Sequence, residues 1–352
     1  MIKPPSEPLA VAAIAERTSP PEADGLHRRL SQRQLTMMAI GGAIGVGLFL
    51  GSSVTIRLAG PAVILSYILG AGIALIMSYV LTEMAVVHPV AGAFGVYAEK
   101  YLNPWAGFSV RATYGVAQII AIGAEVTAAG IYISYWLPNV PQWIWLVLVS
   151  LALVGLNSMQ VNRLGEFEYW FAMIKVSAIV AFIIVGLALI FGVGSPHVIG
   201  LANLTQHGGF FPAGWKGVWL SLTITVTSYM GVEIIAVTAG EAERPEITIP
   251  RAMRNIVYRL IGFYILAIAI MVTMVPWNQG GGTLSGSPFV SAFAAAHVPY
   301  AAAIMNFVVL TAALSSVNTN LYLATRMLFS LGRGGYAPAW MGQVSSNGVP
   351  HR

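Results

Sequence analysis

Cysteine is absent from the 352-residue chain, which excludes disulfides and thiolate metal sites. Charge is scarce as well. Only 9% of the residues are Asp, Glu, Lys or Arg, against about 25% in an ordinary soluble domain. There is no Ser/His/Asp grouping, no HExxH and no metal-ligand cluster, so neither an enzyme nor a metal or cofactor is expected. The six histidines, His27, His88, His197, His207, His297 and His351, are scattered in or beside loops. The chain opens without the basic start and apolar core of a secretory signal. A net charge of +5 would suit nucleic acid only if the basic residues formed one patch. They fall instead at the ends of apolar runs, where they act as topology signals.

What the chain has is apolar length. Fifty-seven per cent of its residues are hydrophobic, too much for one globular core, and lipid is the solvent that suits them. About 20 apolar helical residues cross a bilayer core. Eight stretches meet that need, at about 35–57, 62–83, 108–136, 142–159, 167–192, 217–238, 256–276 and 299–329. Alternating spans put Arg28, Arg29, Arg33, Lys100, Arg111, Arg163, Arg244, Arg251, Arg254, Arg259, Arg326 and Arg333 on one side, and only Arg57 and Lys216 on the other. This is the positive-inside pattern of a multi-pass inner-membrane protein with a cytoplasmic N-terminus. Trp136, Trp143, Trp145, Trp215 and Trp277 fall at outer boundaries, as interface anchors do. Residues 1–30, rich in Pro, Glu, Ala and Ser, read as a disordered cytoplasmic tail. Residues 31–352 read as the transmembrane domain.

Several spans carry groups that are costly in lipid. Span one holds Gly41-Gly42-Ala43-Ile44-Gly45-Val46-Gly47, either for close helix packing or as a broken helix that exposes backbone. Span six holds Ser228-Tyr229-Met230-Gly231-Val232-Glu233. Its carboxyl must face a cavity, be neutral or be paired. Glu125 in span three and Lys175 in span five lie deep in apolar runs. They are functional groups, a structural ion pair or, for Lys175, a snorkelling amine. Ser315, Ser316, Asn318, Thr319 and Asn320 make span eight polar, for interhelical hydrogen bonds or for a water-facing path. Spans two, four and seven are closer to lipid-compatible and form an expected outer set. Glycine breaks in spans one and six, five helices apart, point to an inverted repeat with its site at the midplane.

A series of motifs carries a resemblance. Leu35 to Ser52 reads LTMMAIGGAIGVGLFLGS and is followed by Ala59-Gly60-Pro61. Glu83-Met84-Ala85 leads to Pro89, Gly92 and Tyr97. Gly165-Glu166-Phe167-Glu168-Tyr169-Trp170-Phe171 precedes Ile174-Lys175-Val176. Gly231-Val232-Glu233 precedes Ala239-Gly240-Glu241, Pro245 and Ile249-Pro250-Arg251-Ala252. Asn318 through Arg326-Met327-Leu328-Phe329-Ser330-Leu331 closes the series. In this order and spacing the chain resembles the amino acid permeases of the amino acid–polyamine–organocation superfamily. Within it, the chain is most like the bacterial aromatic amino acid, lysine and γ-aminobutyrate permeases.

The resemblance implies an all-α, inverted-repeat (LeuT-like) transporter fold of twelve spans, of which this chain reaches about eight. It implies import of an amino acid, by proton symport or by exchange, or else a shortened form unable to transport. The backbone at Ala43, Ile44, Gly45, Val46 and Gly47 would offer N–H groups to the substrate carboxylate. Carbonyls around Thr227, Ser228, Tyr229, Met230 and Gly231 would receive its amino group, with Tyr229 as an aromatic gate. Glu125 would face the substrate. Glu233 and Lys175 would couple protons, Lys175 in place of a sodium ion.

Overall fold

A computed structural model describes residues 32–90, 92–157, 161–193, 198–237, 239, 245–278, 287–295 and 300–343. The expected tail at 1–30, Thr238, Arg244 and the segment 344–352 lie outside the described residues. Among those described there is helix and turn and no strand, as a bilayer solvent requires of anything but a closed barrel.

Thirteen helices are labelled in chain order. The first expected span is three pieces, α1 (Gln32–Ala43), α2 (Val46–Phe49) and α3 (Gly51–Ala59). A 3₁₀ turn at Gly60–Ala62 leads into α4 (Val63–Val87). Then come α5 (Ala93–Tyr101), α6 (Pro104–Ser134), α7 (Gln142–Asn157) and α8 (Val161–Ile190). The sixth expected span is again broken, into α9 (Gly214–Ser228) and α10 (Ile234–Val237). The chain continues through α11 (Pro245–Met274), α12 (Pro288–Ala295) and α13 (Ala301–Arg333). Among the described residues four segments are long and apolar enough to cross a bilayer: Gly51–Val87, Pro104–Ser134, Glu168–Ile190 and Ala301–Arg333. Ile40–Phe49, Gln142–Gly155 and Ile261–Met274 are shorter apolar helices.

Local chemistry explains these elements. Asn103 caps α6 by accepting the Ala106 N–H at 2.8 Å, with Pro104 at the first helical position, where its missing N–H costs nothing. In span one, four glycines in seven residues forgo the side-chain packing that would hold a helix straight. The α1 ladder ends with Ile44 N–H on the Ile40 carbonyl (3.0 Å), and Gly45 turns back onto Ala43. Both readings of the glycine run hold at once. The helix breaks, and the glycines also admit close neighbours. A Cβ on Gly42 would meet Thr319 at 2.8 Å, and one on Gly47 would meet the Ser228 backbone at 3.2 Å.

The centre of the molecule is the contact between the two breaks. Ser228 Oγ donates to the Gly47 carbonyl at 3.0 Å. Gly231 sits at φ +111°, with its Cα against the backbone of Ala43. Around this centre α13 packs along α6, α8 packs on α1, and α11 packs on α4. Chemistry also reaches helices expected to be purely outer. Ser66 of α4 bonds Ser221 of α9 at 2.5 Å, and Tyr264 of α11 donates to the Ala43 carbonyl at 2.5 Å. Tyrosine counts as apolar in a span until its hydroxyl has a carbonyl to find. Trp136, Trp143 and Trp215 are exposed, whereas the Trp277 indole donates to the His207 carbonyl at 2.9 Å.

Gly231→Ala places a Cβ 2.7 Å from Ala43 backbone atoms in a left-handed conformation. It is expected to destabilise the protein by at least about 1–3 kcal/mol, read as a lower melting temperature in detergent. Gly262→Ala, inside α11 with open space around it, is expected to be neutral or stabilising by up to about 1 kcal/mol.

Candidate functional site

A break in a buried helix frees carbonyls that nothing in lipid can satisfy. At the end of α1 they are met by side chains from two other helices. Lys175 Nζ, on α8, donates to the carbonyls of Gly41 and Ile44, the latter at 3.1 Å, and to Ser315 Oγ of α13 at 2.8 Å. Tyr264 takes the Ala43 carbonyl. An ammonium here also faces the negative end of the α1 dipole. Lys175 is 0% exposed, so its amine is turned inward and does not snorkel. Its charge is balanced through Ser315, which donates to Glu168 Oε1, while Asn318 Nδ2 donates to Oε2 at 3.2 Å. Lys175 and Glu168 act on each other electrostatically.

The second break is held by its own carboxylate. Glu233 Oε2 accepts the Gly231 N–H at 2.7 Å, and Oε1 accepts Tyr114 O–H, from α6, at 2.9 Å. Glu233 thereby fixes the Tyr229–Glu233 turn and anchors it to α6.

A cavity of ≈ 210 Å³ lies where the two breaks face α6 and α13. Of the residues expected to meet substrate, Ala43, Gly45, Val46, Gly47, Glu125, Thr227, Ser228, Met230 and Gly231 line it, and so does Glu233. Three expected residues do not. Ile44 is buried and offers its carbonyl to Lys175. Lys175 stands behind α1. Tyr229 turns away, donating to the Tyr67 carbonyl at 2.9 Å and packing its ring 5.0 Å from Tyr264. In this conformation it does not cover the cavity.

The N–H groups at the first break are largely engaged. Those of Ile44 and Gly45 bond the carbonyls of Ile40 and Ala43. That of Val46 donates to Glu125 Oε1 at 3.3 Å. The second oxygen of Glu125, Oε2, is buried and has no hydrogen-bond partner among the described residues. The cavity therefore holds one carboxylate with an unused acceptor, one carboxylate fully engaged, and no basic side chain in its wall. Such a wall receives a cationic group.

Sequence reasoning missed Gln118 and Leu323 in the wall, together with the buried Glu168; Ser316 and Asn320, from the polar stretch of span eight, also stand in it. Tyr114, Gln118 and Glu125 are spaced by four and seven, one face of α6, which is a signal that could have found them. Glu168 sat at the very edge of its apolar run, where a solvated carboxylate is ordinary.

The chain matches the family model described as "Amino acid permease" over residues 34–352. It is 43% identical over 327 residues to "Uncharacterized amino acid permease YtnA" of Bacillus subtilis (strain 168), covering 92% of this chain and 70% of that one. It is 42% identical over 327 residues to the "Gamma-aminobutyric acid permease" of the same organism, covering 93% and 69%. It is also 43% identical over 328 residues to that organism's "Probable threonine/serine transporter YbxG", covering 92% and 70%.

Lys175→Met removes the donor from three acceptors and leaves Glu168, also 0% exposed, without a cation. The expected cost is about 3–5 kcal/mol, seen as a large fall in melting temperature or loss of folded protein. Adding Glu168→Gln to that variant is expected to recover part of the loss, because the two side chains share Ser315.

Proposed function

The chain belongs to the amino acid permease family of the amino acid–polyamine–organocation superfamily, and from that membership we propose that it imports a zwitterionic amino acid by proton symport, through the cavity between its two helix breaks. The observation that carries this reading is Glu125 Oε2, an unpartnered carboxylate oxygen in a cavity walled by two interrupted helices. The substrate ammonium docks on that oxygen and on the carbonyls of Ser228, Tyr229 and Met230 just past the end of α9; the Thr227 carbonyl beside them already accepts the Met230 N–H. The substrate carboxylate lies against the backbone of Gly45–Gly47. Small wall residues, Gly42, Ala121 and Ala124, leave the side-chain end roomy. The relatives' names, one for γ-aminobutyrate and one for threonine and serine, set the range of a substrate panel.

Glu233 and Lys175 are the proton-coupling pair in this proposal. An ionised Glu233 only accepts. On protonation it becomes a donor, and it then holds fewer of its two present bonds, to Gly231 and Tyr114. The turn is thereby freed from α6. Lys175 holds the α1 break closed as long as its ammonium has the Gly41 and Ile44 carbonyls. The two breaks lie five expected spans apart, which supports the inverted-repeat reading, with eight spans in this chain. The clustering of Arg and Lys supports a cytoplasmic N-terminus at the inner membrane.

Reconstituted protein is expected to accumulate a labelled amino acid from such a panel only under an inward proton gradient, and to stop when a protonophore is added. Glu125→Gln is expected to weaken substrate binding about 10- to 100-fold, the worth of a hydrogen bond to a charged group. Glu233→Gln is expected to keep binding and counterflow while losing gradient-driven accumulation. Uptake indifferent to the gradient would replace symport by exchange, and no binding across the panel would overturn the site.

A further inference from the structure

A second cavity, of ≈ 280 Å³, lies on the outer face between α4 and α11, remote from the substrate cavity and sharing no residue with it. Pro250, within α11, has no N–H to give the carbonyl four residues back, and it stands in the wall. Met253, Val257 and Ser78 form a buried floor. Tyr79 and Tyr258, 52% and 58% exposed, stand on the rim with their hydroxyls 3.5 Å apart. Arg254 lines the same wall and acts electrostatically on Tyr79.

The donors identify the ligand chemistry. Ser78 and Thr82 spend their hydroxyl protons on their own helix, on the carbonyls of Ala74 and Ser78 at 2.7 Å each. That leaves the Arg254 fork and one of the two phenols, whose hydroxyls share a hydrogen bond, to donate outward. Among the described residues Arg254 forms no ion pair or hydrogen bond, and Arg251 stands exposed one turn away. Glu83 and Glu246 are exposed on the same two helices, but neither lines the cavity. From this polar end the same face of α4 continues through Leu75, in the cavity wall, to the exposed Ile68 two turns on. A groove with one anion-binding end and a long apolar wall fits a ligand built the same way.

We propose that this groove binds an anionic phospholipid, its phosphodiester held by Arg254, Tyr79 and Tyr258 and an acyl chain laid along α4. The proposal rests on the membrane reading of the chain and is independent of the substrate site. A free phosphate would leave the apolar face unused. A second copy of the chain would bring the same arginine to the contact.

The test is native mass spectrometry of the 352-residue protein in neutral detergent, titrated with phosphatidylglycerol, with phosphatidylcholine of the same chains, and with inorganic phosphate. Phosphatidylglycerol is expected to be retained at least about fivefold better than phosphatidylcholine, the scale of one surface arginine. Arg254→Gln is expected to abolish that preference. The Tyr79→Phe/Tyr258→Phe double variant is expected to reduce it several-fold, and Lys216→Gln, a basic residue of α9, to leave it intact. Unchanged melting temperatures in lipid-free detergent show that the rim variants remain folded. Equal retention of the two lipids would overturn the proposal, as would a preference that survives both rim variants. Displacement of the lipid by millimolar phosphate would reassign the groove to a free anion. A dimer cross-linked through Tyr79 or Tyr258 that phosphatidylglycerol does not dissolve would reassign it to a second copy.

Discussion

Lys175 donates to the main-chain carbonyls of Gly41 and Ile44 and to Ser315, and the break in the first long helix depends on it. In water those carbonyls would be hydrated. Inside a bilayer each needs a donor from the protein, at a cost of several kcal/mol if none is found. One ammonium and the Tyr264 hydroxyl together satisfy three carbonyls, at residues 41, 43 and 44. The broken helix is therefore a stable element rather than a defect. Burying the ammonium then requires Glu168, and placing Glu168 requires Ser315 and Asn318 on α13. Much of the polarity of α13 is accounted for by this chain of compensation, which ties α1, α8, α11 and α13 together before any ligand enters.

Much of this was legible in the sequence, and the exceptions have physical reasons. The glycine run, the deep Lys175 and the deep Glu125 were conspicuous because each violates what a lipid-facing helix tolerates, and a violation is visible without knowing the partner. Partners are harder to read. Tyr264 is unremarkable in an apolar run, and only the Ala43 carbonyl beside it, at the break, gives its hydroxyl a role. Glu168 lies where an apolar stretch begins, so its burial depends on α13 closing over it, a contact with a residue 147 positions away. Tyr229 was placed by position within the break. Its direction was not legible, because a turn containing Gly231 at φ +111° sends successive side chains to opposite sides. Ser228 and Met230 go to the cavity, and Tyr229 goes to the aromatic cluster with Tyr67 and Tyr264.

The two breaks behave as one construction. Ser228 bonds Gly47, Gly231 rests on Ala43, and the two segments come this close because a glycine stands on one side of each contact. They are stabilised by different means, however. The first is held from outside by a cation on another helix. The second is held from within by Glu233, which reaches back to its own turn. Loosening one does not of itself loosen the other.

The Val46 N–H already holds a carboxylate oxygen, that of Glu125. The cavity thus carries a tethered carboxylate of its own at that N–H. A carboxylate seeking that N–H does not enter a vacant place but displaces a resident, so occupancy there obeys the arithmetic of competition. The apparent affinity is the intrinsic one multiplied by the fraction of time the resident is away. Whatever persuades Glu125 to let go, whether a proton or the approach of an ammonium to its other oxygen, raises affinity for the guest's opposite end without touching it.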